Sequence, residues 1–279
     1  MRVLVTGAGG QVGRELVEAF AGHDVVAADR ARLDVTDRDA VVQAVTTLTP
    51  DAIVHAAAWT AVDACESDPD RALAVNGLGT RHVVEAARHA GAPVYYLSTD
   101  YVFDGSKPAP YVEWDHPNPQ SAYGRSKLAG ELELDPGSTV VRTSWVCGRH
   151  GNNMVKTILR LAGEHEELAF VDDQRGHPSF ADDIATTIRR LVLERRTGTY
   201  HVTNQGAVTW FEFARSVLES AGLDPERVRP IATADLDPPR PAPRPPNSVL
   251  DNAALRLDGL PLLPHYREPL DRLVAALRA

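Results

Sequence analysis

The amino-acid sequence predicts an α/β protein with a doubly wound parallel β-sheet, covered by helices on both faces. Two observations carry this prediction. Short β-branched segments alternate with helix-periodic segments over the first 145 residues, at the spacing of strand–helix–strand units. The composition is that of an ordinary globular chain, with 43% hydrophobic and 24% charged residues among 279. The alternation loosens after Trp145, so a smaller C-terminal lobe is expected there.

The individual elements follow from the hydrophobic periodicity. Strands are predicted over residues 2–6, 23–29, 52–57, 94–98 and 139–143, and helices over 11–20, 37–48, 69–89 and 123–134. Thr36 is the expected N-cap of the second helix, and Gly91 is expected to end the third. Beyond Trp145, helices are predicted near 154–161, 182–193, 210–221 and 269–277, with a short strand at 199–203.

Charge and cysteine content exclude several classes of function. The net charge of −9 argues against a nucleic-acid or anionic-membrane partner. The first residues form too short an apolar run for a signal peptide, and no stretch has the apolar length of a membrane span. Cys65 and Cys147 make no disulfide framework, and their neighbourhoods lack metal-ligand spacing. A soluble, cytoplasmic protein with no membrane partner is therefore expected.

Three glycines mark a candidate nucleotide site. Gly7, Gly10 and Gly13 recur at three-residue spacing, directly after the first predicted strand and at the start of the first helix. Glycine permits the tight turn and a close approach to a pyrophosphate, and the helix N-terminus offers free N–H groups. In this context the pattern predicts a dinucleotide site on a Rossmann-type sheet rather than a plain glycine loop.

The end of the second strand gives a mixed signal on the cofactor. Asp29 is typical of residues that accept the ribose 2′-hydroxyl of NAD, whereas Arg30 suits the 2′-phosphate of NADP. Asp34 and Val35 follow closely enough to lie along the adenine edge. We expect NADPH to be favoured and NADH also to be accepted, while solvated loop charges are the structural alternative.

Tyr123 and Lys127 form a candidate proton-donor pair, four residues apart on one face of a predicted helix. An adjacent ammonium favours the tyrosinate, so Lys127 is expected to lower the pKa of the Tyr123 phenol. Such a phenol can protonate a carbonyl oxygen as hydride reaches the carbon. Thr99 lies where the fourth strand ends, at the ligand-binding edge of such a sheet, and can donate a hydrogen bond to the same oxygen.

Together these motifs resemble the extended short-chain dehydrogenase/reductase superfamily and, within it, the dTDP-4-dehydrorhamnose reductases. The segments that carry the resemblance are residues 7–13, 55–63, 98–105, 123–131, 142–146, 173–178 and 244–248. It implies NAD(P)H-dependent reduction of the C4 ketone of dTDP-4-dehydro-L-rhamnose, a dTDP-4-keto-6-deoxysugar, by a monomer or homodimer. A 4-ketoreductase for another dTDP-deoxysugar is the first alternative. A non-catalytic relative of the same fold, similar to the regulatory subunit of methionine adenosyltransferase, is the second.

The resemblance also implies roles for individual residues. The catalytic trio is Thr99, Tyr123 and Lys127. The cofactor is expected at Gly7, Gly10, Gln11, Val12, Gly13, Asp29, Arg30, Asp34, Val35, Ala56, Ala57, Ala58, Asn76, Tyr123 and Lys127. Asn76 is expected to hold a water of the proton relay, with a helix-surface asparagine as the alternative. Substrate is expected at Asp100, Trp145, Asn152, Asn153, Arg175, His177 and Arg244, although Trp145 could instead be a core residue.

Some positions depart from the family pattern. Trp59 stands where a tyrosine is usual, and Cys147 where an aromatic residue is usual. Some family members dimerise through a magnesium site built from glutamates. Here Glu15 fits the first of those positions and Asp182 is a shortened match to the second, while Arg267 or Glu268 falls near the third. No metal is therefore predicted.

The domain organisation follows from these motifs. An NAD(P)-binding Rossmann domain is expected over residues 1–145 and a mainly substrate-binding lobe over 146–279, with a segment near 168–193 returning to the sheet. Residues 237–246 contain six prolines, which exclude a helix or a central strand. This segment is either a solvated linker or a rigid loop that closes over the nucleotide end of the substrate, where Arg244 would contact the pyrophosphate.

Overall fold

The structure is a computed structural model that describes residues 1–278. Its strands are β1 (Arg2–Thr6), β2 (Asp24–Ala28), β3 (Ala52–His55), β4 (Val94–Thr99), β5 (Thr139–Thr143), β6 (Val146–Cys147), β7 (Leu168–Val171), β8 (Arg175–Gly176), β9 (Ser179–Phe180), β10 (Gly198–His201), β11 (Val208–Thr209) and β12 (Val228–Ile231). Its α-helices are α1 (Gln11–Ala19), α2 (Arg38–Leu48), α3 (Val62–Ser67), α4 (Pro69–Leu73), α5 (Gly79–Ala90), α6 (Ala122–Glu131), α7 (Met154–Glu164), α8 (Ala181–Leu193), α9 (Trp210–Ser220), α10 (Ala253–Leu257) and α11 (Arg267–Arg278).

The main sheet is parallel, with the strand order β10-β5-β4-β3-β1-β2. The chain runs outward from β1 to β2 and then crosses to β3 on the other side of β1. The strand order therefore reverses beside β1, and ligands of such sheets bind at the carboxyl ends of the strands at this point. The predicted doubly wound fold class is confirmed.

Alternate residues of β1 pack on opposite faces of the sheet. Val3 and Val5 belong to the apolar cluster under α1 and α8, whereas Leu4 belongs to the cluster under α2 and α5. All three side chains are fully buried. A strand covered on both faces has to be apolar at every position, which explains the continuous hydrophobic run of β1.

The long helix predicted over residues 69–89 is interrupted. A π-helical turn at Ala74–Leu78 separates α4 from α5, and Gly91 ends α5 with a φ of 66°. The wider turn carries Asn76 into the interior, where it is fully buried. The expected cap of α2 is also wrong by one residue. Asp37 accepts from the Ala40 amide, because the Thr36 hydroxyl donates to Asp34 instead.

The chain after residue 145 builds a second apolar core and then returns to the main sheet. The strand that joins the sheet is β10, which pairs with β5. The segment near 168–193 behaves differently in its two halves: α8 packs against α1, while β7 pairs with β12 outside the main sheet. The hydrophobic residues of α8 pack against those of β1 and α1. The apolar residues of β7 instead belong to the core of the C-terminal lobe. None of the helices within residues 1–278 is long and apolar enough to cross a membrane.

Candidate active site

Two adjoining cavities lie at the carboxyl edge of the sheet. The first has a volume of about 390 Å³ and is lined by Gly7, Gly9, Gly10, Asp29, Arg30, Ala31, Leu33, Asp34, Val35, Ala56, Ala57, Ala58, Trp59, Arg71 and Val75. The second has a volume of about 440 Å³ and is lined by Gly10, Gln11, Val12, Gly13, Ala56, Ala58, Thr60, Val62, Leu97, Ser98, Thr99, Asp100, Tyr101, Tyr123, Lys127, Thr143, Ser144, Trp145, Val146, Asn152 and Trp210. They share Gly10, Ala56 and Ala58, so the two cavities form one continuous groove.

The glycine motif shapes the floor of this groove. Gly7 has a φ of 67°, and a Cβ there would lie 2.5 Å from the amide nitrogen of Ala57. A Cβ on Gly13 would lie 2.1 Å from the carbonyl oxygen of Gly7. Side chains are therefore excluded at both positions, and α1 starts close against β1. No side chain caps α1 within the described residues, so its first N–H groups can bind a pyrophosphate.

The rim of the first cavity carries charges of both signs. The exposed Arg30 pairs with Asp34 at 3.3 Å, and hydrogen bonds from Thr36 are the main cause that lowers the pKa of Asp34. Arg71 stacks its guanidinium 4.4 Å from the centre of the Trp59 ring and, within residues 1–278, forms no ion pair. A planar cation held on an indole is well placed to contact an anionic or aromatic part of a dinucleotide.

Thr99 and Tyr123 face the second cavity from different elements. Thr99 is the last residue of β4, and its hydroxyl is bonded to both Asp100 Oδ1 and the Tyr101 amide. Tyr123 lies in the first turn of α6, which Ser121 caps by accepting from the Gly124 amide at 3.1 Å. The sequence prediction that these side chains meet at the carboxyl edge of the sheet agrees with their placement here.

Lys127 lies one helical turn after Tyr123 and is almost fully buried. Its Nζ has no hydrogen-bond partner within residues 1–278 and lies 3.9 Å from the centre of the Tyr96 ring. Burial lowers the pKa of Lys127 to about 7, against an opposing contribution from Glu131. An unpartnered ammonium in the cavity wall fits the hydroxyl groups of a cofactor ribose, which can accept its hydrogen bonds.

The expected lowering of the Tyr123 pKa is wrong. Burial raises the pKa of the phenol well above 10, and the hydrogen bond with Thr99 lowers it only in part. Burial is the main cause, and Asp100 adds negative charge beside the phenol, which raises its pKa further. Tyr123 is therefore a neutral phenol at physiological pH, which is the form that can donate a proton.

Asp100 is the buried carboxylate of the second cavity. Its Oδ1 accepts from the Thr99 hydroxyl at 3.0 Å, whereas its Oδ2 has no partner within the described part of the chain. Burial raises the pKa of Asp100 to about 6, against hydrogen bonds from Ser248 and Thr99 that lower it. The free oxygen can accept a hydrogen bond from a ligand hydroxyl.

A buried ion pair fastens the catalytic helix to the sheet. Glu131, the last residue of α6, accepts from Arg142 at 3.0 Å and 2.7 Å and from the Ser98 hydroxyl at 2.6 Å. The side chains of Glu131 and Arg142 are each only 6% exposed. The carboxylate therefore joins α6 to both β4 and β5, the strands that end beside the catalytic cavity.

Trp145 lines the second cavity together with Trp210. Their rings are stacked, with centres 3.6 Å apart and planes within 9° of parallel. Trp145 directly follows the Thr143-Ser144 pair at the end of β5. One ring of the pair can therefore contact a bound ligand, and the substrate role expected for Trp145 stays a prediction.

The three candidate asparagines have different surroundings. Asn152 lines the second cavity, whereas Asn153 caps α7 and donates to Gln11 Oε1 at 3.1 Å. Asn76 lies outside both cavities: its side chain accepts from the Trp59 amide at 2.7 Å and donates to Ser126 at 2.9 Å. These bonds join the π-helical turn to the loop at Trp59 and to α6 at Ser126, and the water-holding role expected for Asn76 stays a prediction.

Three further substrate candidates lie outside both cavities. Arg175 is exposed in β8, and His177 is a buried imidazole whose pKa is lowered by burial to about 4. Arg244 forms a bidentate pair with Asp63, at 2.5 Å and 2.7 Å, and its side chain is only 15% exposed. The proline-rich segment around it is packed, since the Ala242 amide also donates to Asp63. The described positions favour the rigid-loop interpretation of residues 237–246.

Two of the acidic positions considered for a metal are paired with arginines. Glu15 is buried and accepts from Arg149 at 2.9 Å, and Arg149 also reaches Glu18. Asp182 lies 3.5 Å from Arg272 on α11. Within residues 1–278 no cluster of three or more potential ligands is arranged around one point.

Several residues that line the second cavity or its rim are not predicted from the sequence. Thr143 and Ser144 end β5 just as Thr99 ends β4, so the same edge rule could have found them. Thr143 lines the second cavity, and its buried Oγ1 has no partner within the described residues. Trp210 and Arg71 carry no such signal, because only tertiary packing brings α9 and α4 to the groove.

Comparison with known proteins fixes the family. The family model described as the RmlD substrate binding domain matches residues 1–279. The chain belongs to this family. A relative from Streptomyces griseus named dTDP-4-dehydrorhamnose reductase is 44% identical over 99% of this chain and 94% of its own length. One from Streptomyces niveus, named dTDP-4-keto-6-deoxy-D-glucose reductase, is 40% identical over 100% of this chain and 98% of its own.

The family fold is also present in solved structures. The crystal structure of dTDP-4-dehydrorhamnose reductase from Bacillus anthracis in complex with NADP superposes with a TM-score of 0.94. It is 39% identical in sequence, with 99% of each chain covered. The Rossmann-type architecture described above is therefore that of the RmlD family over the full length of the chain.

Proposed function

We propose that this protein is an NADPH-dependent dTDP-4-dehydrorhamnose reductase, which reduces the C4 ketone of dTDP-4-dehydro-L-rhamnose to give dTDP-L-rhamnose. The observation that carries the proposal is the continuity of the glycine-floored cavity with the cavity that holds Thr99, Tyr123 and Lys127. A dinucleotide in the first cavity would bring its reactive ring to the donors in the second. The relatives that share the full length of the chain support the same substrate class.

The residues divide the chemistry as follows. NADPH supplies hydride to the substrate carbon when it is bound. Tyr123 gives its phenolic proton to the C4 oxygen, which becomes the hydroxyl group of the product. Thr99 turns its single hydroxyl proton from Asp100 Oδ1 to the same oxygen and stabilises the negative charge that develops there. Lys127, in its protonated form, favours the tyrosinate that remains after proton transfer.

The substrate end of the groove supplies positioning. Asp100 Oδ2 can accept from a sugar hydroxyl, and Thr143 Oγ1 can donate or accept beside it. We propose that Arg244 binds the negatively charged pyrophosphate of the dTDP group, since a partly buried guanidinium pairs strongly with phosphate. Asp63 holds that guanidinium in place in the absence of ligand.

Turnover and a single variant test the proposal. The purified protein should consume NADPH in the presence of dTDP-4-dehydro-L-rhamnose, followed by the fall in NADPH absorbance. Tyr123→Phe should reduce kcat by about 100-fold or more, because it removes the proton donor. NADPH binding should persist, since the glycine floor is unchanged. Tyr111→Phe is the matched control: it removes a buried phenol that donates to Asp104 outside the cavity. Near wild-type turnover by the Tyr123→Phe protein would refute the catalytic assignment.

A second candidate is a 4-ketoreductase that makes a different dTDP-deoxysugar. The Streptomyces niveus relative, with its different printed substrate, is the observation that favours it. A panel of dTDP-4-keto-6-deoxysugars separates the two functions by kcat/KM. The complete trio of Thr99, Tyr123 and Lys127 in one cavity argues against a non-catalytic relative. We further propose a cytoplasmic location, in keeping with the free cysteines Cys65 and Cys147.

A further inference from the structure

Trp145 has an unusual backbone conformation for a bulky residue. Its φ is 44°, in the left-handed region where a Cβ crowds the following carbonyl group. Such residues cluster at ligand sites and persist only where the surrounding structure holds them. The backbone of Trp145 is held in part by the Ser179 amide, which donates to its carbonyl oxygen at 3.3 Å. The ring needs a separate support, because the backbone contact does not fix the side chain.

Two neighbours hold the indole ring. One edge lies against Gly176, where a Cβ would stand 2.7 Å from Trp145 Cε2. One face lies on Trp210, with ring centres 3.6 Å apart and an interplanar angle of 9°. This separation makes the contact between the two rings continuous over a whole face.

Trp210 is itself well anchored in the C-terminal core. It is the first residue of α9, and this helix begins with a reciprocal capping box between Thr209 and Glu212. Its ring also packs edge-on against Phe213, which is fully buried. Trp210 is therefore fixed by the C-terminal core, and it can restrain the ring of Trp145, which lines the catalytic cavity.

We propose that Trp210 is a positioning residue that holds Trp145 in its strained conformation and presents the opposite face of Trp145 to the deoxyhexose. This inference rests on the proposed function for the identity of the ligand. A 6-deoxyhexose offers an apolar face of C–H bonds and a methyl group, which an indole face can bind. Without the stack, the Trp145 backbone is free to relax toward negative φ, and its ring would leave the substrate surface.

A double-mutant cycle on the full-length protein tests this coupling. Trp210→Leu keeps an apolar side chain but removes the ring, and should raise KM for the ketosugar about three- to tenfold while kcat changes less. Trp210→Phe retains a ring that can stack, and should stay within about twofold of wild type. Trp145→Leu combined with Trp210→Leu should be no worse than Trp145→Leu alone, since Trp210 acts through Trp145. NADPH dissociation constants should be equal in all variants.

A spectroscopic measurement reports the stack without substrate. Each indole held rigidly in the stack contributes to the near-ultraviolet circular dichroism, so both single Leu variants should lose intensity in the tryptophan bands. Additive effects on KM in the double variant, an unchanged KM in Trp210→Leu, or an unchanged dichroism signal would each overturn the proposal. A failure of the proposed function looks different, because the wild-type protein would then reduce no ketosugar of the panel.

Discussion

The ion pair that fastens the catalytic helix gives a quantitative prediction for Glu131→Gln. Glutamine has nearly the same shape as glutamate but lacks the charge, and its amide NH₂ would face one of the Arg142 donors. The guanidinium, 6% exposed, would be left without a counter-charge. Breaking a buried pair from one side costs about 3–5 kcal/mol, and we expect the free energy of unfolding to fall by that amount.

The chain offers a matched control two residues further on. Glu133 makes an equally well-formed bidentate pair with Arg81, at 3.0 Å and 2.7 Å, but the Arg81 side chain is 57% exposed. Glu133→Gln should therefore cost only about 0–1 kcal/mol. Because geometry is similar in the two pairs, the difference between the variants isolates the effect of burial.

Urea unfolding at neutral pH, followed by far-ultraviolet circular dichroism, measures both variants. A third variant with Glu131→Met and Arg142→Met should recover much of the lost stability, because neither partner then remains as an uncompensated buried charge. If Glu131→Gln were no more destabilising than Glu133→Gln, the reasoning from burial would be refuted.

Three other predictions concern the cofactor, the substrate and pH. Arg30→Ala should raise KM for NADPH about two- to fivefold and leave KM for NADH nearly unchanged, measured by steady-state kinetics; equal effects on the two cofactors would show that Arg30 does not contact the 2′-phosphate. Arg244→Ala should weaken dTDP binding by about 1.5–3 kcal/mol in calorimetry without changing NADPH binding, and an unaltered dissociation constant would show that Arg244 does not contact the pyrophosphate. Asp100→Asn should increase the free energy of unfolding at neutral pH by up to ~3 kcal/mol, because burial raises the pKa of Asp100 to about 6. The folded wild-type protein binds this proton more tightly than the unfolded chain, so its stability falls as pH rises through about 4 to 6. The wild-type and Asp100→Asn proteins should therefore have equal stability near pH 4. Thermal melts between about pH 4 and 7 measure the difference in stability, and a difference that does not change with pH would contradict the raised pKa of Asp100.

The parts of the site that the sequence could predict are those governed by local rules. The three glycines of the floor follow from a strand–turn–helix pattern that needs no tertiary information. Thr99 follows from the rule that parallel strands present their carboxyl ends at one edge, and Lys127 follows from Tyr123 by the spacing of four residues on a helix.

The remaining features depend on packing between segments distant in sequence. The π-helical turn at Ala74–Leu78 adds one residue to a helix, and a periodicity read over many residues does not resolve it. Trp210 is 65 positions from the residue on which it stacks. The pKa of Lys127 and that of Tyr123 depend on burial, which overrides the pairwise charge effect that the spacing suggests.

The return of β10 to the sheet has a consequence for engineering the enzyme. Since β10 lies within the lobe segment of the chain, a cut near residue 145 would remove one of the two partners of β5 and leave an open edge of unpaired amides and carbonyls. It would also take away α8 and uncover the apolar residues of α1. A lobe transplanted from a relative with another sugar preference should therefore be exchanged as two separate cassettes, on either side of residues 179–201, with the host strand and helix left in place.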